Sequence, residues 1–455
     1  MIAPPKPPSS DELEALIKEA RARQRRRWLG GAALVAALAA GVNVAFAIGG
    51  GSGRALTRAT AGVPVVNGHA FSGRGELAFV SRRALYVLDG RTEKVVRVAP
   101  AEEQPDAPVF SPDGRWLAFG LSHGRIGIAR ANGTAANVLT ARGYARWLPN
   151  GRLLAGRTIY RIVQSTTAVR VGRVPSGLVG WAKDGSRYAF VVDRFVRQKD
   201  GSFHGVELLN VAKTLNGAQT TWYRVPTRFT PSSGYTSPAI GQVVVLPHRQ
   251  GLLFWLDPDH SASLAADGLA LYELARPGAR PRKVAVTVGS AVSLGGNSGF
   301  AVGAGGDRYA WRTKHAVACS TGSSCATVPA PTGHLSLDPA WSPNGSTLAY
   351  VAARAGRSSN FFQRTIRRWY DTRHLWLLGK GSRPRVVPES TGAAAPTWSR
   401  DGRSVLFVAN DSLWLLPHLN AHPIRIAGPL FRPSFWPSYY GQVDWIDQFA
   451  WRSQP

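Results

Sequence analysis

The stretch FSPDGRWLAFG, Phe110 to Gly120, decides the fold, because much of the chain repeats it. WSPNGSTLAYV (Trp341 to Val351), WSRDGRSVLFV (Trp398 to Val408) and WAKDGSRYAFV (Trp181 to Val191) keep its spacing. WLPNGRLLAGR (Trp147 to Arg157) and VGAGGDRYAWR (Val302 to Arg312) keep it more loosely. FSGRGELAFV (Phe71 to Val80) is one residue short, and LPHRQGLLFWL (Leu246 to Leu256) one residue long. In each copy a large apolar residue ends a strand. In the strongest copies Pro then presets φ in a turn, Asp or Asn follows, and Gly takes the position where φ is positive. The chain re-enters a strand with alternating apolar residues, as at Leu117 and Phe119. Each copy is therefore a β-hairpin.

A second pair of strands lies behind most copies, such as Ala84 to Leu88 followed by Lys94 to Val98. Four strands per unit at blade-like intervals predict an all-β fold, a β-propeller of four-stranded blades. Eight units are counted, at roughly 70–98, 107–139, 144–174, 178–226, 240–287, 291–328, 336–387 and 394–427. Seven or six blades are the alternatives. Units four, five and seven are long, so their loops carry insertions.

The W-S-P-D-G-x-x-L-A-F core resembles the TolB-type, WD40-like (PD40-type) repeat of bacterial propellers, with Trp341 to Gly345 and Phe110 to Gly114 as the strongest copies. The resemblance spans residues 69–428, about four fifths of the chain. It implies a propeller and an extracytoplasmic setting, but no particular function.

The N-terminal region reads as a membrane tether. Ser10 caps a short helix that ends in Arg residues, within a cytoplasmic tail over 1–27. Trp28 to Ile48 carries no charge over 21 residues, enough to cross a bilayer core of about 30 Å. Five Arg precede it (Arg21, Arg23, Arg25, Arg26 and Arg27) and no comparable cluster follows, so the positive-inside rule places everything after Gly49 outside. Residues 49–68 read as a linker. Two rival readings are signal-peptidase cleavage after Ala45-Phe-Ala47, giving a secreted protein, and a twin-arginine signal at Arg25 to Leu29. Both still export the bulk of the chain. The aromatic tail, 429–455, reads as a closing segment, with Gln448 to Trp451 as a late strand that removes an exposed sheet edge.

The formal net charge is +28, and only nine of the 55 basic residues are Lys. Such a chain favours anionic partners. Cys319 and Cys325, in ACSTGSSCA, are spaced to close a small disulfide loop in an oxidising compartment. No G-x-S-x-G elbow and no H-E-x-x-H occurs. No motif implies a catalytic residue, a cofactor or a metal centre.

Two insertions remain as candidate sites. The unit-five insertion carries Asp257, Asp259, Ser261, Ser263 and Asp267 where a short hairpin would suffice. These oxygens suit a hard cation or a substrate at the channel mouth, although the spacing is not that of an EF-hand. The unit-seven insertion, Arg354 to His374, interleaves Arg357, Arg364, Arg367, Arg368 and Arg373 with Phe361, Phe362, Trp369 and Tyr370. Arg with aromatics is hot-spot composition, and Arg364, Arg367, Arg368, Trp369 and Tyr370 are the candidate partner-binding residues. The bland reading makes the aromatics packing residues. Outside the membrane the available anions are lipid headgroups, cell-wall polymers or acidic proteins, so no nucleic acid is expected. The leading expectation is a membrane-anchored, extracytoplasmic, non-catalytic binding or scaffold module for protein or cell-envelope partners. The alternatives are an enzyme acting on a carbohydrate or small substrate in the central channel, and a transmembrane sensor signalling through the tail.

Overall fold

Three of the repeat turns are built by the same two side chains. Ser111 Oγ donates to Asp113 Oδ1 (2.6 Å) and accepts from the Trp116 N–H (3.0 Å), while the Gly114 N–H closes the turn on Ser111 O (2.8 Å). Ser342 with Asn344, and Ser399 with Asp401, repeat this arrangement. Gly114, Gly345 and Gly402 have φ of 68, 67 and 70°, which only glycine adopts without strain. These three hairpins are thus set locally by Ser-x-Asp/Asn-Gly.

The computed structural model describes residues 64–163, 166–230, 234–235, 237–246, 251–257, 270–286, 292–295, 299–302, 316–320, 325–355, 369–430 and 445–454. Their strands form eight antiparallel sheets, six of four strands and two of five, numbered blades 1 to 8 in the order of the eight sequence units above. Blade 2 is representative, with Asp106–Phe110, Trp116–Leu121, Arg125–Arg130 and Asn137–Arg142 in order from one edge. The first strands of adjoining sheets lie against each other, for example Asp106–Phe110 against Ala145–Trp147 and His334–Trp341 against Ala394–Trp398, so they are the inner strands.

The core consists of layers between blades. One apolar cluster joins blade 1 to blade 2 through Val80, Val87, Leu117 and Phe119. Others join 2 to 3, 3 to 4, 4 to 5, 5 to 6, 6 to 7 and 7 to 8. The eighth joins blade 8 to blade 1 through Leu406, Val408, Leu77 and Phe79. The sheets therefore close into a ring of eight. The repeat tryptophan also ties neighbours together: Trp147 Nε1 donates to Val109 O of the preceding blade (3.0 Å), and Trp398 Nε1 to Ala340 O (2.9 Å).

Segments flanking the repeats join the first and last blades. Phe449–Arg452 is the inner strand of blade 1, paired in register with Glu76–Phe79. Val65–Val66 adds a fifth, outer strand to blade 8, pairing with Gly428 and Ala427. The linker expected over 49–68 therefore ends earlier than the sequence suggests, because the outer edge of Ile424–Gly428 takes those residues as a strand partner. The tail helix, the Trp28 to Ile48 span and most of the linker lie outside the described residues. Among the described residues no helix is long and apolar enough to cross a membrane.

Antiparallel order fixes which connections share a face. The repeat turns join inner to second strands at one end of the ring, the turn face. Connections from second to third strands emerge at the opposite end, the loop face.

Candidate functional site

On the loop face, blades 8, 1 and 3 make the shortest possible connections: Asn410-Asp411, Arg82-Arg83 and Gly156-Arg157, between strands paired up to the turn. Blade 2 uses Ser122–Gly124. Blades 4 to 7 differ. Blade 4 extends its second and third strands to ten residues each, Tyr188–Arg197 and Phe203–Ala212. Blades 5, 6 and 7 connect through residues 258–269, 303–316 and 355–373. The additions are confined to one face and to one continuous half of the ring, and a propeller does not need them.

Carboxylates gather at the same end. Asp193 and Glu207 face each other across the extended hairpin of blade 4. Asp257 ends the second strand of blade 5, opposite Ala239 at the start of its inner strand. Glu207 is 6 % exposed and its Oε2 accepts the Ile240 N–H, which ties blade 4 to blade 5. Burial pushes its carboxyl up to about 8; the Ile240 N–H opposes this, and the charges of Asp193 and Asp257 add to it. Glu207 is therefore largely protonated at neutral pH. The surrounding protein raises the Asp193 carboxyl too, although that residue as a whole is exposed. Asp106, at the start of the blade 2 inner strand, is raised by burial. Its carboxyl lies over Gly120, where a Cβ would fall 1.9 Å from Asp106 Oδ1.

Of the five channel-loop candidates, Asp257 belongs to this cluster and is 8 % exposed. Asp259, Ser261, Ser263 and Asp267 lie outside the described residues. The sequence reading missed Asp193 and Glu207. Their signal was present in VVDRFV and GVELL, each an acid inside an apolar strand run.

In the unit-seven insertion, Arg364, Arg367 and Arg368 lie outside the described residues. Trp369 corrects the partner-binding expectation. It is 3 % exposed, packs in the layer between blades 7 and 8, and donates Nε1 to Arg354 O (2.7 Å). Tyr370 is half-buried. Arg373, 2 % exposed, sits 4.5 Å from the Trp369 ring and 3.9 Å from the Tyr370 ring. Cation–π attraction thus holds both aromatics inside the blade. Part of the pattern that read as an interface is an internal stack.

Cys319, 1 % exposed, stands directly opposite Cys325 across the last two strands of blade 6. No cysteine is free among the described residues. Among the same residues no group of three or more His, Cys, Asp or Glu is arranged to hold a metal ion.

No known family's sequence profile matches the chain, and no curated protein matches it. Solved structures resemble it in fold. TolB from Acinetobacter baumannii is 10 % identical with a TM-score of 0.34, over 78 % of this chain and 64 % of that one. This chain thus spans less than two thirds of that TolB. The C-terminal WD40 domain of Sif2 is 12 % identical (TM-score 0.40), over 78 % of this chain and 93 % of that one. The dihydro-heme d1 dehydrogenase NirN is 14 % identical (TM-score 0.45), over 78 % and 74 %. Binding proteins and enzymes stand side by side among such neighbours, and the likeness extends no further than the fold.

Proposed function

We propose that the protein is a non-catalytic binding or scaffold propeller, tethered by Trp28 to Ile48 and held outside the cytoplasm, that engages protein or cell-envelope partners through the loop face of blades 4 to 7. The observation that carries this reading is the confinement of every long second-to-third-strand connection to one half of the loop face, blades 4 to 7. A scaffold that repeats so strictly elsewhere has no structural reason for that asymmetry. The +28 charge favours an anionic partner. A Cys319–Cys325 disulfide, consistent with their register, fits an oxidising compartment.

The test uses intact cells and the full chain with residues 258–269 or 356–367 replaced by short turns. The variants are expected to keep the parental melting temperature and their sensitivity to protease added outside spheroplasts, while losing retention by isolated envelope. Undiminished retention refutes the binding role, and protection from the protease refutes the orientation.

Glu207 favours a second reading. A neutral buried carboxyl beside two further carboxylates is the arrangement of a general acid. On that reading the loop face of blades 4 and 5 handles a carbohydrate or small substrate, and Glu207→Gln abolishes turnover.

A further inference from the structure

The second strand of blade 4 outruns its inner neighbour. Tyr188–Arg197 has ten residues, whereas the inner strand Leu178–Trp181 pairs only with Tyr188 to Phe190. The Val191 N–H still donates to Gly177 O (2.7 Å). Beyond it no strand lies on that side among the described residues, while the third strand stays in unbroken register out to Arg197 opposite Phe203. Backbone groups alternate along a strand, so Asp193, Phe195 and Arg197 turn their N–H and C=O toward the open edge, as Val191 does.

This edge is only partly protected: Asp193, Arg194 and Arg197 carry charge. It has no Pro and no bulge, and Asp193 through Arg197 are all exposed, with Phe195 at 38 % and Val196 at 66 %. Its sequence is self-complementary. When two copies of Asp193-Arg-Phe-Val-Arg197 run antiparallel about Phe195, each Asp193 falls opposite Arg197 of the other copy and the two Phe195 rings meet. Directly opposite residues share one face of the sheet, so each acid reaches its base. Centring on Arg194 would set Arg194 against its own copy. Centring on Val196 would leave Asp193 without an opposing residue in the strand.

We propose that two copies of the chain pair through this edge, about a two-fold axis at Phe195, joining their blade 4 sheets into one. The pairing forms roughly six backbone ladder bonds, two at each of the three opposed pairs, and covers Phe195. It is an isologous contact, which closes at two copies and does not propagate. It uses the outer part of the blade 4 hairpin, within the loop face assigned above to partner binding, but rests on this strand's own register and sequence and not on that reading.

Sedimentation of the full chain in mild detergent tests it. The wild type is expected to form dimers of the 48.9 kDa chain. Asp193→Arg sets Arg against Arg at both ends of the edge, and Arg197→Asp sets Asp against Asp. Each variant alone is expected to dissociate at least tenfold more readily. Mixing the two variants places opposite charges together at both ends and should restore the dimer, as should the double swap D193R/R197D. Restoration also demonstrates that the single variants are folded. A wild type that stays monomeric overturns the proposal. So does a dimer indifferent to both single changes, or one that the mixture and the double swap fail to restore.

Discussion

Ser111, Ser342 and Ser399 each spend one hydroxyl on two partners, an acid or amide within the turn and an N–H beyond it. That economy is why Ser-x-Asp/Asn-Gly recurs. Burial would raise Asp113, but hydrogen bonds from Ser111 and Arg115, with the Arg115 charge, outweigh it and hold the carboxyl below its ordinary range. Glu207 is shifted the other way. The unfolded carboxyl ionises near 4.5, whereas the folded one keeps its proton to about 8. The folded state therefore binds more protons between these values, and this contribution to stability is lost as pH rises through the window. The slope is at most about 1.4 kcal/mol per pH unit. Glu207→Gln retains an oxygen for the Ile240 N–H and removes the titration. Denaturant melts of wild type and variant from pH 4 to 9 should show the wild type losing stability relative to the variant toward the alkaline end; parallel curves would contradict the assignment. The turn residues were legible because their chemistry is local. Glu207 was not, because its shift depends on Ile240 of the next blade and on Asp193 and Asp257, which the chain brings together only through the fold.

At the level of elements, the strand that closes the ring is the informative one. Phe449–Arg452 supplies the inner strand of blade 1, Arg452 Nη1 donates to Glu76 Oε2 (2.6 Å), and Trp451 Nε1 donates to Arg74 O (2.9 Å). Truncation before Phe449 leaves the edge of Glu76–Ser81 bare and takes a buried Phe from the layer between blades 8 and 1. The loss is expected to be at least the roughly 3–5 kcal/mol of one buried Phe, seen as a lower melting temperature and aggregation through the exposed edge. An unchanged melt would contradict closure by this strand. Its existence was legible from aromatic density and position. Its partner was not, because pairing 370 residues away leaves no local trace. The strand Val65–Val66 was hidden for the same reason: two valines after a Gly-rich stretch carry no periodicity. Trp369 illustrates the converse. Composition placed it at an interface, and Arg373 and Arg354 take it into the core.

For the whole molecule, repetition made the ring readable and asymmetry makes it interpretable. Eight copies of one hairpin predict eight blades, and one apolar layer between each adjoining pair closes them. Among the second-to-third-strand connections, what departs from repetition is the loop face of blades 4 to 7. The central claim, that this half-face is where the protein meets its partner, can be tested by one mapping measurement in cells. A photo-crosslinking residue is placed singly at Lys199, on the blade 4 hairpin; at Arg82, on the plain half of the loop face; and at Lys183 and Ser382, on the turn face, all exposed positions. Adducts with a molecule other than this chain are expected from Lys199 and not from Arg82, Lys183 or Ser382. Adducts from Lys183 or Ser382, with none from Lys199, would contradict the account.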